Sequence, residues 1–378
     1  MPNLGVGIVG CGIISRTYLR NAPLFRGVEV RAVADVVPAA ARARSEEFGV
    51  RALSVDDLLA SKDVDVVVNL TVPNAHYAVS MAALKAGKHV FTEKPLAATA
   101  ALGRKLVAAA KANRRAIASA PDTFLGPAGR KARALIEAGA IGKPLSGTAF
   151  VMSHGMEHWH PNPDFFFKPG GGPVLDLGPY YITQLVNLLG PVRRILASTT
   201  IGNPHRTVTA EGPNVGKRIK VETPTTAHAL LEFAGGARVI LGMSWDVWRH
   251  GMAPIEIHGT EGSMRVPDPN FFGGIVEVAR GRGEWERHDS SADAFGAPNH
   301  PPEKPVHANY RVLGIAELAE AIRARRASRL SGDVALHVLE VMEGVLSSGA
   351  RNRAITLPAT RARPGVMTED EARALAAD

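Results

Sequence analysis

Lys94, Asp176 and Tyr180 are side chains whose types and settings could move a proton on or off an alcohol. Lys94 lies in Thr92-Glu93-Lys94-Pro95, directly after His89-Val90-Phe91, a run that reads as a strand. An amine there can polarise a hydroxyl or a carbonyl, or shift its pKa when buried. The following proline disfavours helical φ/ψ at Lys94 and holds it extended. The alternative is a surface Glu–Lys pair at a strand end. Asp176 and Tyr180 belong to Gly170-Gly171-Gly172-Pro173-Val174-Leu175-Asp176-Leu177-Gly178-Pro179-Tyr180-Tyr181. Three glycines permit close backbone approach to a ligand. A spacing of four residues puts Asp176 and Tyr180 on one face of a helical turn. A carboxylate beside a phenol is an acid/base pair suited to a carbinol; the alternative is a helix entry with a capping aspartate and core tyrosines.

A second constellation sits at the N-terminus. Gly10-Cys11-Gly12-Ile13-Ile14-Ser15 follows the apolar run Leu4 to Val9, and Asp35 ends a second run from Val28. Strand, tight turn and helix N-terminus in that order favour an anion. An acid at that distance supplies a carboxylate for a ribose diol. The pairing reads as a dinucleotide site rather than a merely structural glycine turn. The charge of Asp35 would repel a 2′-phosphate, which argues for NAD, while Arg42 and Arg44 keep NADP as the alternative.

The elements that must position these residues follow from the apolar pattern. From residue 1 to 121, strands alternate with helices, which predicts a doubly wound parallel sheet. Ser54 is predicted to cap one helix, Asn74 to cap another ending at Ala86, and Thr99 to open a third reaching Ala112. Residues 122–378 read differently. A helix near Gly126 to Ala138 precedes β-rich runs at 144–152, 193–200, 226–233, 238–245, 255–258 and 275–279. Strands in succession predict an α+β domain with a large, mostly antiparallel sheet. Residues 309–326 and 333–346 read as amphipathic helices, whereas 202–224 and 288–308 read as loops. A sheet face left in water suggests a homo-oligomer, dimer or tetramer.

Composition excludes several classes. At 378 residues, 46% hydrophobic and 21% charged, the chain can bury a sizeable core. Its one cysteine, Cys11, rules out an internal disulfide framework. No apolar run approaches the ~20 residues that span a bilayer, and no signal-type stretch opens the chain. A cytoplasmic location is the expectation, with no membrane partner. The net charge of +8 is scattered rather than gathered into an aromatic-interleaved stripe, so no nucleic-acid partner is expected.

In combination, the motifs resemble the Gfo/Idh/MocA oxidoreductase family over essentially the whole length. They are Gly10-x-Gly12-x-x-Ser15, Thr71-Val72-Pro73-Asn74-x-His76, Gly87-Lys88-His89-Val90-x-x-Glu93-Lys94-Pro95 and the Gly170-to-Tyr180 run. The resemblance implies an N-terminal Rossmann domain, a C-terminal sheet domain, and NAD(P)-dependent oxidation or reduction of sugars, inositols or related carbinols. By position it makes Lys94 the catalytic lysine and Asp176 the carboxylate of D-x-G. Tyr180 stands where inositol-dehydrogenase-like members carry histidine. That is similar to the branch of glucose–fructose oxidoreductase and dihydrodiol dehydrogenase, in which tyrosine is the proposed proton-transfer residue. Gln184 replaces a further family acid, so the acid/base group is Lys94, Tyr180 or the two coupled. Gly10, Gly12, Ile13, Ile14, Asp35, Thr71, Pro73, Asn74, His76, Glu93 and Lys94 are the expected cofactor contacts, with Asn74 and His76 near the nicotinamide. The loop His154 to Asp164 holds three histidines and two acids. A metal is the lesser reading, because zinc ligands usually come from better-spaced rigid elements. As a substrate loop, it offers Trp159 for stacking and His158 and His160 for hydroxyls. His337 is either a core histidine or a substrate contact, and Asn309 and Arg311 are weaker candidates. Relatives that cleave glycosides by transient oxidation, and a non-catalytic co-repressor, supply the alternative functions.

Overall fold

The computed structural model describes residues 3–360 and 363–377. Strands β1 (Leu4–Val9), β2 (Val28–Ala34), β3 (Arg51–Leu53), β4 (Val66–Asn69), β5 (His89–Thr92) and β6 (Ile117–Ser119) form a parallel sheet in the order β3-β2-β1-β4-β5-β6. Helices α1 (Ile13–Asn21), α2 (Pro38–Phe48), α3 (Val55–Ala60), α4 (Pro73–Lys85) and α5 (Ala100–Ala112) connect them. Covered on both faces, β4 is buried along its whole length, which is why its sequence is a continuous apolar run. Ser54 and Thr99 cap α3 and α5, accepting from the backbones of Asp57 and Leu102. Asn74 is not a cap: Pro73 takes the first helical position of α4, and Asn74 sits inside the turn. Strand order reverses beside β1, so the crevice for a ligand lies at the carboxyl ends of β1 and β4.

After α6 (Pro127–Glu137) the chain builds β7 (Pro144–Met152) and two helices, α7 (Pro173–Asp176) and α8 (Gly178–Leu189). It continues through β8 (Val192–Thr200), a small pair β9 (His205–Thr207) and β10 (Arg218–Lys220), β11 (Thr226–Phe233), β12 (Arg238–Ser244), β13 (Ile255–Gly259), β14 (Gly262–Val266), β15 (Ile275–Arg280) and β16 (Glu286–Asp289). With β17 (Ile355–Thr356) the larger sheet has the order β16-β15-β14-β13-β7-β12-β11-β8-β17. Only β7 and β12 run parallel; every other pairing in it is antiparallel. The pair β9–β10 lies within a stretch whose prolines and glycines read as loop, and β14 and β16 carry too few apolar residues to stand out.

Helix α9 (Leu313–Arg323) starts at Leu313 rather than 309, because side chains hold the preceding residues out of helical geometry. Helix α10 (Gly332–Arg351) packs against α5, α8 and β8, joining the two sheets. Helix α11 (Glu369–Ala374) returns to the first domain, where Ala372 and Leu375 share an apolar cluster with Val6, Ile8, Val33 and residues of α9. The boundary expected near 121 thus divides the sequence more sharply than the space. Among the described residues no helix is long and apolar enough to cross a membrane.

Candidate active site

Lys94 leaves the end of β5, and Asp176 ends the short helix α7 that the glycine run admits. Gly172 has φ +90°, which an L-residue rarely adopts. Lys94 Nζ donates to Asp176 Oδ1 at 2.8 Å and to the Asp176 carbonyl at 2.6 Å. Tyr180, in the first turn of α8, places its ring centroid 5.4 Å from that nitrogen. Burial alone would lower the Lys94 pKa, but Asp176, then Tyr180 and Glu93, outweigh it and hold the amine above its ordinary value. Lys94 is therefore a fixed cation. Two of its donors are committed to Asp176, which leaves one for a ligand oxygen. Tyr181 turns away, donating to Asp268 Oδ1 at 3.2 Å.

Arg311 reaches the same point from the turn before α9. Its Nη2 donates to the Tyr180 phenol oxygen and to Asn270 Oδ1, both at 3.3 Å, while Nη1 donates to Asn309 Oδ1 at 2.8 Å. The phenol oxygen accepts from Arg311 and keeps a second direction for a ligand oxygen. Glu93 closes the floor: Oε1 accepts from the Tyr18 hydroxyl at 2.7 Å and Oε2 from the Lys94 N–H at 2.9 Å. Gln184, one turn beyond Tyr180, is buried with both amide atoms unpartnered and brings no charge.

His76 is placed differently from the expectation that it approaches a nicotinamide. It is fully buried, with Nδ1 2.6 Å from the Pro95 carbonyl and Nε2 3.0 Å from the Thr71 carbonyl. Its ring ties the segment after β4 to the segment carrying Lys94, so it supports the site from behind. Asn74 and Pro73 are exposed at the start of α4, beside Val72.

The dinucleotide cradle passes a test of fit. Gly10 has φ +104°, and a Cβ there would lie 2.6 Å from the Leu70 backbone. At Gly12 a Cβ would meet nothing within 4 Å, so the space beside the turn is open. Helix α1 has no side-chain cap, which leaves its N–H groups for an anion. Arg44 lies over this turn, donating to Ser15 Oγ at 3.0 Å. Asp35 Oδ2 accepts from Cys11 N–H at 2.7 Å and Oδ1 from Val37 N–H at 2.9 Å, which fixes the carboxylate at the carboxyl end of β2. Burial, and then Asp35, push the Cys11 thiol up to about 11, so it stays protonated. Ile13, Val36, Val37 and Val72 are exposed around the crevice although all are apolar. That rim suits flat rings such as adenine and nicotinamide. Only Ile13 of the four was expected; the signal for the others is an apolar residue just past a strand end.

The remaining candidates are not brought to Lys94. His158 lines a separate cleft of about 1180 Å³ with His154, His205, Arg206, Trp248 and Arg249. Trp159 is exposed, and His160 packs edge-on to Phe165 and Phe166. No group of three or more His, Cys, Asp and Glu among the described residues is arranged to hold a metal ion. His337 is a core histidine: its Nε2 accepts from Val192 N–H at 3.0 Å, and burial pushes its pKa down to about 4.

A glycine-turn cradle on a doubly wound sheet, opening toward a charged lysine on the next domain's carboxylate, defines an oxidoreductase with an NAD-binding Rossmann domain. Residues 4–120 match the profile of the oxidoreductase family with an NAD-binding Rossmann fold. Residues 130–265 match the GFO/IDH/MocA C-terminal domain. The chain belongs to the Gfo/Idh/MocA oxidoreductase family. It is 36% identical over 160 residues to inositol 2-dehydrogenase of Salmonella typhimurium, a match covering 41% of this chain and 46% of that protein. That match thus spans about half the length of the relative. D-Xylose 1-dehydrogenase (NADP(+)) of Hypocrea jecorina is 29% identical over 315 residues, covering 75% of this chain and 77% of that one. A solved levoglucosan dehydrogenase in complex with NADH and L-sorbose superposes with a TM-score of 0.78 at 23% identity, covering 95% of this chain and all of that one.

Proposed function

We propose that the chain transfers a hydride between NAD and a secondary alcohol of a sugar, glycoside, inositol or related polyol. The observation that carries this reading is the meeting of Lys94, Asp176 and Tyr180 at the carboxyl edge of the dinucleotide-binding sheet. A bound nicotinamide supplies the hydride chemistry. Tyr180 takes the hydroxyl proton during oxidation and returns it during reduction. Lys94 directs its remaining N–H at the same oxygen and stabilises negative charge there. Asp176 keeps Lys94 charged and orients the carbinol. The amine's raised pKa favours this division of roles over a lysine base. The loop bearing His158, Trp159 and His160 leads toward Gly172 and Asp176, and in this reading it meets the substrate away from the reacting carbon. The Asp35 carboxylate favours NAD over NADP.

Assembly is proposed through the open face of the larger sheet, with a second copy of the chain as the partner. Leu196, Leu230 and Ile240 lie in register across β8, β11 and β12, and Leu196 and Ile240 are exposed. Ile240→Glu should lower the mass measured by light scattering, and an unchanged mass would reject this face. The reaction is tested with a panel of sugars and inositols, NAD and NADP, read at NADH absorbance. Turnover on a polyol supports the reading. Aglycone release without NADH accumulation would replace it with transient-oxidation chemistry, and NAD binding without turnover would leave a non-catalytic regulator. The single cysteine, which allows no internal disulfide, fits the proposed cytoplasmic location.

A further inference from the structure

We propose that Asp122 is a positioning residue: by accepting the N–H groups of Val312 and Gly314, it holds Val312 in a left-handed conformation and thereby aims the Arg311 guanidinium at Tyr180. This rests on the reading of Tyr180 as the proton-transfer residue. Val312 has φ +107° and ψ −21°. A β-branched residue with positive φ is a backbone outlier, and such strain persists only where surrounding contacts over-determine it.

Those contacts can be traced. Asp122 Oδ2 accepts from Val312 N–H at 3.2 Å and from Gly314 N–H at 2.9 Å. Asn21 Nδ2 donates to the Asn309 carbonyl at 2.9 Å and to the Arg311 carbonyl at 3.0 Å. Asn299 Oδ1 accepts from Asn309 N–H at 2.7 Å. The strained residue is therefore gripped on both sides, and its own side chain is buried in the apolar cluster of the first domain. Gly314 makes the grip possible: a Cβ there would lie 2.7 Å from Asp122 Cβ and 2.9 Å from the Phe91 ring.

The grip has a direction. Asn21 belongs to α1 of the dinucleotide-binding half and Asp122 lies just past the end of its last strand, β6, whereas Tyr180 and Asn270, which receive the guanidinium, belong to the larger sheet domain. Arg311 thus carries the position of one domain to the phenol of the other. The charged and titratable groups that face Asp122 are Arg311, which attracts its anion, Glu93, which repels it, and Tyr18, whose hydroxyl is bonded to Glu93. Burial outweighs the hydrogen bonds and Arg311, and pushes the Asp122 carboxyl up to about 6. Below that pH the group is neutral and loses its pull on Arg311; above it the anion holds the turn.

The test uses the NAD-loaded protein. Crystals of wild type at pH 8 and pH 5, and of Asp122→Asn at pH 8, report the separation of Arg311 Nη2 from the Tyr180 oxygen. Contact is expected only in the first. With a substrate from the polyol panel, wild-type kcat should fall about tenfold per pH unit below about 6. Asp122→Asn should lose that limb and run roughly 10–100-fold slower, with KM for NAD unchanged. Adding Val312→Gly should restore part of kcat, because glycine adopts the turn without the carboxylate. Arg311 still on Tyr180 in Asp122→Asn, or an intact acid limb in that variant, would overturn the proposal. If Asp122→Asn does not fold, the wild-type crystals at two pH values decide. If no polyol turns over, the crystals still judge the Asp122 grip, and the loss falls on the redox reading.

Discussion

Lys94→Met is the perturbation that separates what the amine does for folding from what it does for turnover. The amine gives two hydrogen bonds to Asp176, and the two side chains are only 17% and 22% exposed. Breaking a buried pair by removing one partner costs about 3–5 kcal/mol, and the residual solvent contact here brings that to roughly 2–3 kcal/mol. The variant should therefore fold with a lower melting temperature. In the proposed mechanism the third N–H of Lys94 faces the reacting oxygen, and loss of one such positioned donor costs about 2.7–4 kcal/mol of transition-state stabilisation, roughly 10²–10³ in kcat. Affinity for NAD, read by fluorescence titration, should change less than about threefold, because the cradle at Gly12 and Asp35 is untouched. Asp176→Asn should be comparably destabilised, since it leaves the ammonium unpaired. Lys94→Met combined with Asp176→Asn removes both charges, so it should recover most of the lost stability and none of the activity. Additive stability losses would refute the ion pair as a coupled unit, and turnover above about a tenth of wild type in Lys94→Met would refute the catalytic role.

Three further outcomes follow from the same geometry. Asp35→Ser removes a carboxylate held by two backbone N–H groups; NAD should bind about 10–100-fold more weakly, the worth of a charged hydrogen bond, while NADP binding improves, and an unchanged NAD/NADP ratio in titrations would count against Asp35 as the discriminator. Gly12→Ala should melt like wild type yet lose NAD affinity, because the added methyl meets no protein atom but enters the phosphate space, whereas Gly10→Ala should destabilise the fold itself by pressing on the Leu70 backbone. His337 binds fewer protons folded than unfolded between pH 6.5 and about 4, so it removes roughly 3 kcal/mol of stability as pH falls through that window and nothing above it. Asp122, whose carboxyl is raised, has the opposite slope over much of the same range. Melting curves of His337→Gln should accordingly show a smaller acid loss than wild type, and an identical loss would show that His337 is not its source.

What the sequence makes legible is whatever sits within one local turn. Gly10, Gly12 and Asp35 can be read because a tight turn and a strand end each have a short-range signature. Lys94 and Asp176 can be read because proline and glycine mark their strand end and helix entry. Arg311 is different. Nothing near it in the chain announces a guanidinium at a phenol; its place depends on Asn21, Asp122, Tyr180 and Asn270, which lie far apart along the sequence. His76 misleads for a related reason. Its position beside the crevice suggests contact with a ligand, but two carbonyls already face its ring. His337 has no local mark to separate a core acceptor from a ligand contact, and only the arrival of Val192 decides. The same limit explains α9, which reads as second-domain sequence and packs on the first-domain sheet. A residue whose role is to join two domains takes its meaning from both, so the contact between cradle and phenol is where local pattern carries least information. It is also where one carboxylate, at Asp122, has the most leverage, since its two acceptor bonds set the backbone from which Arg311 projects.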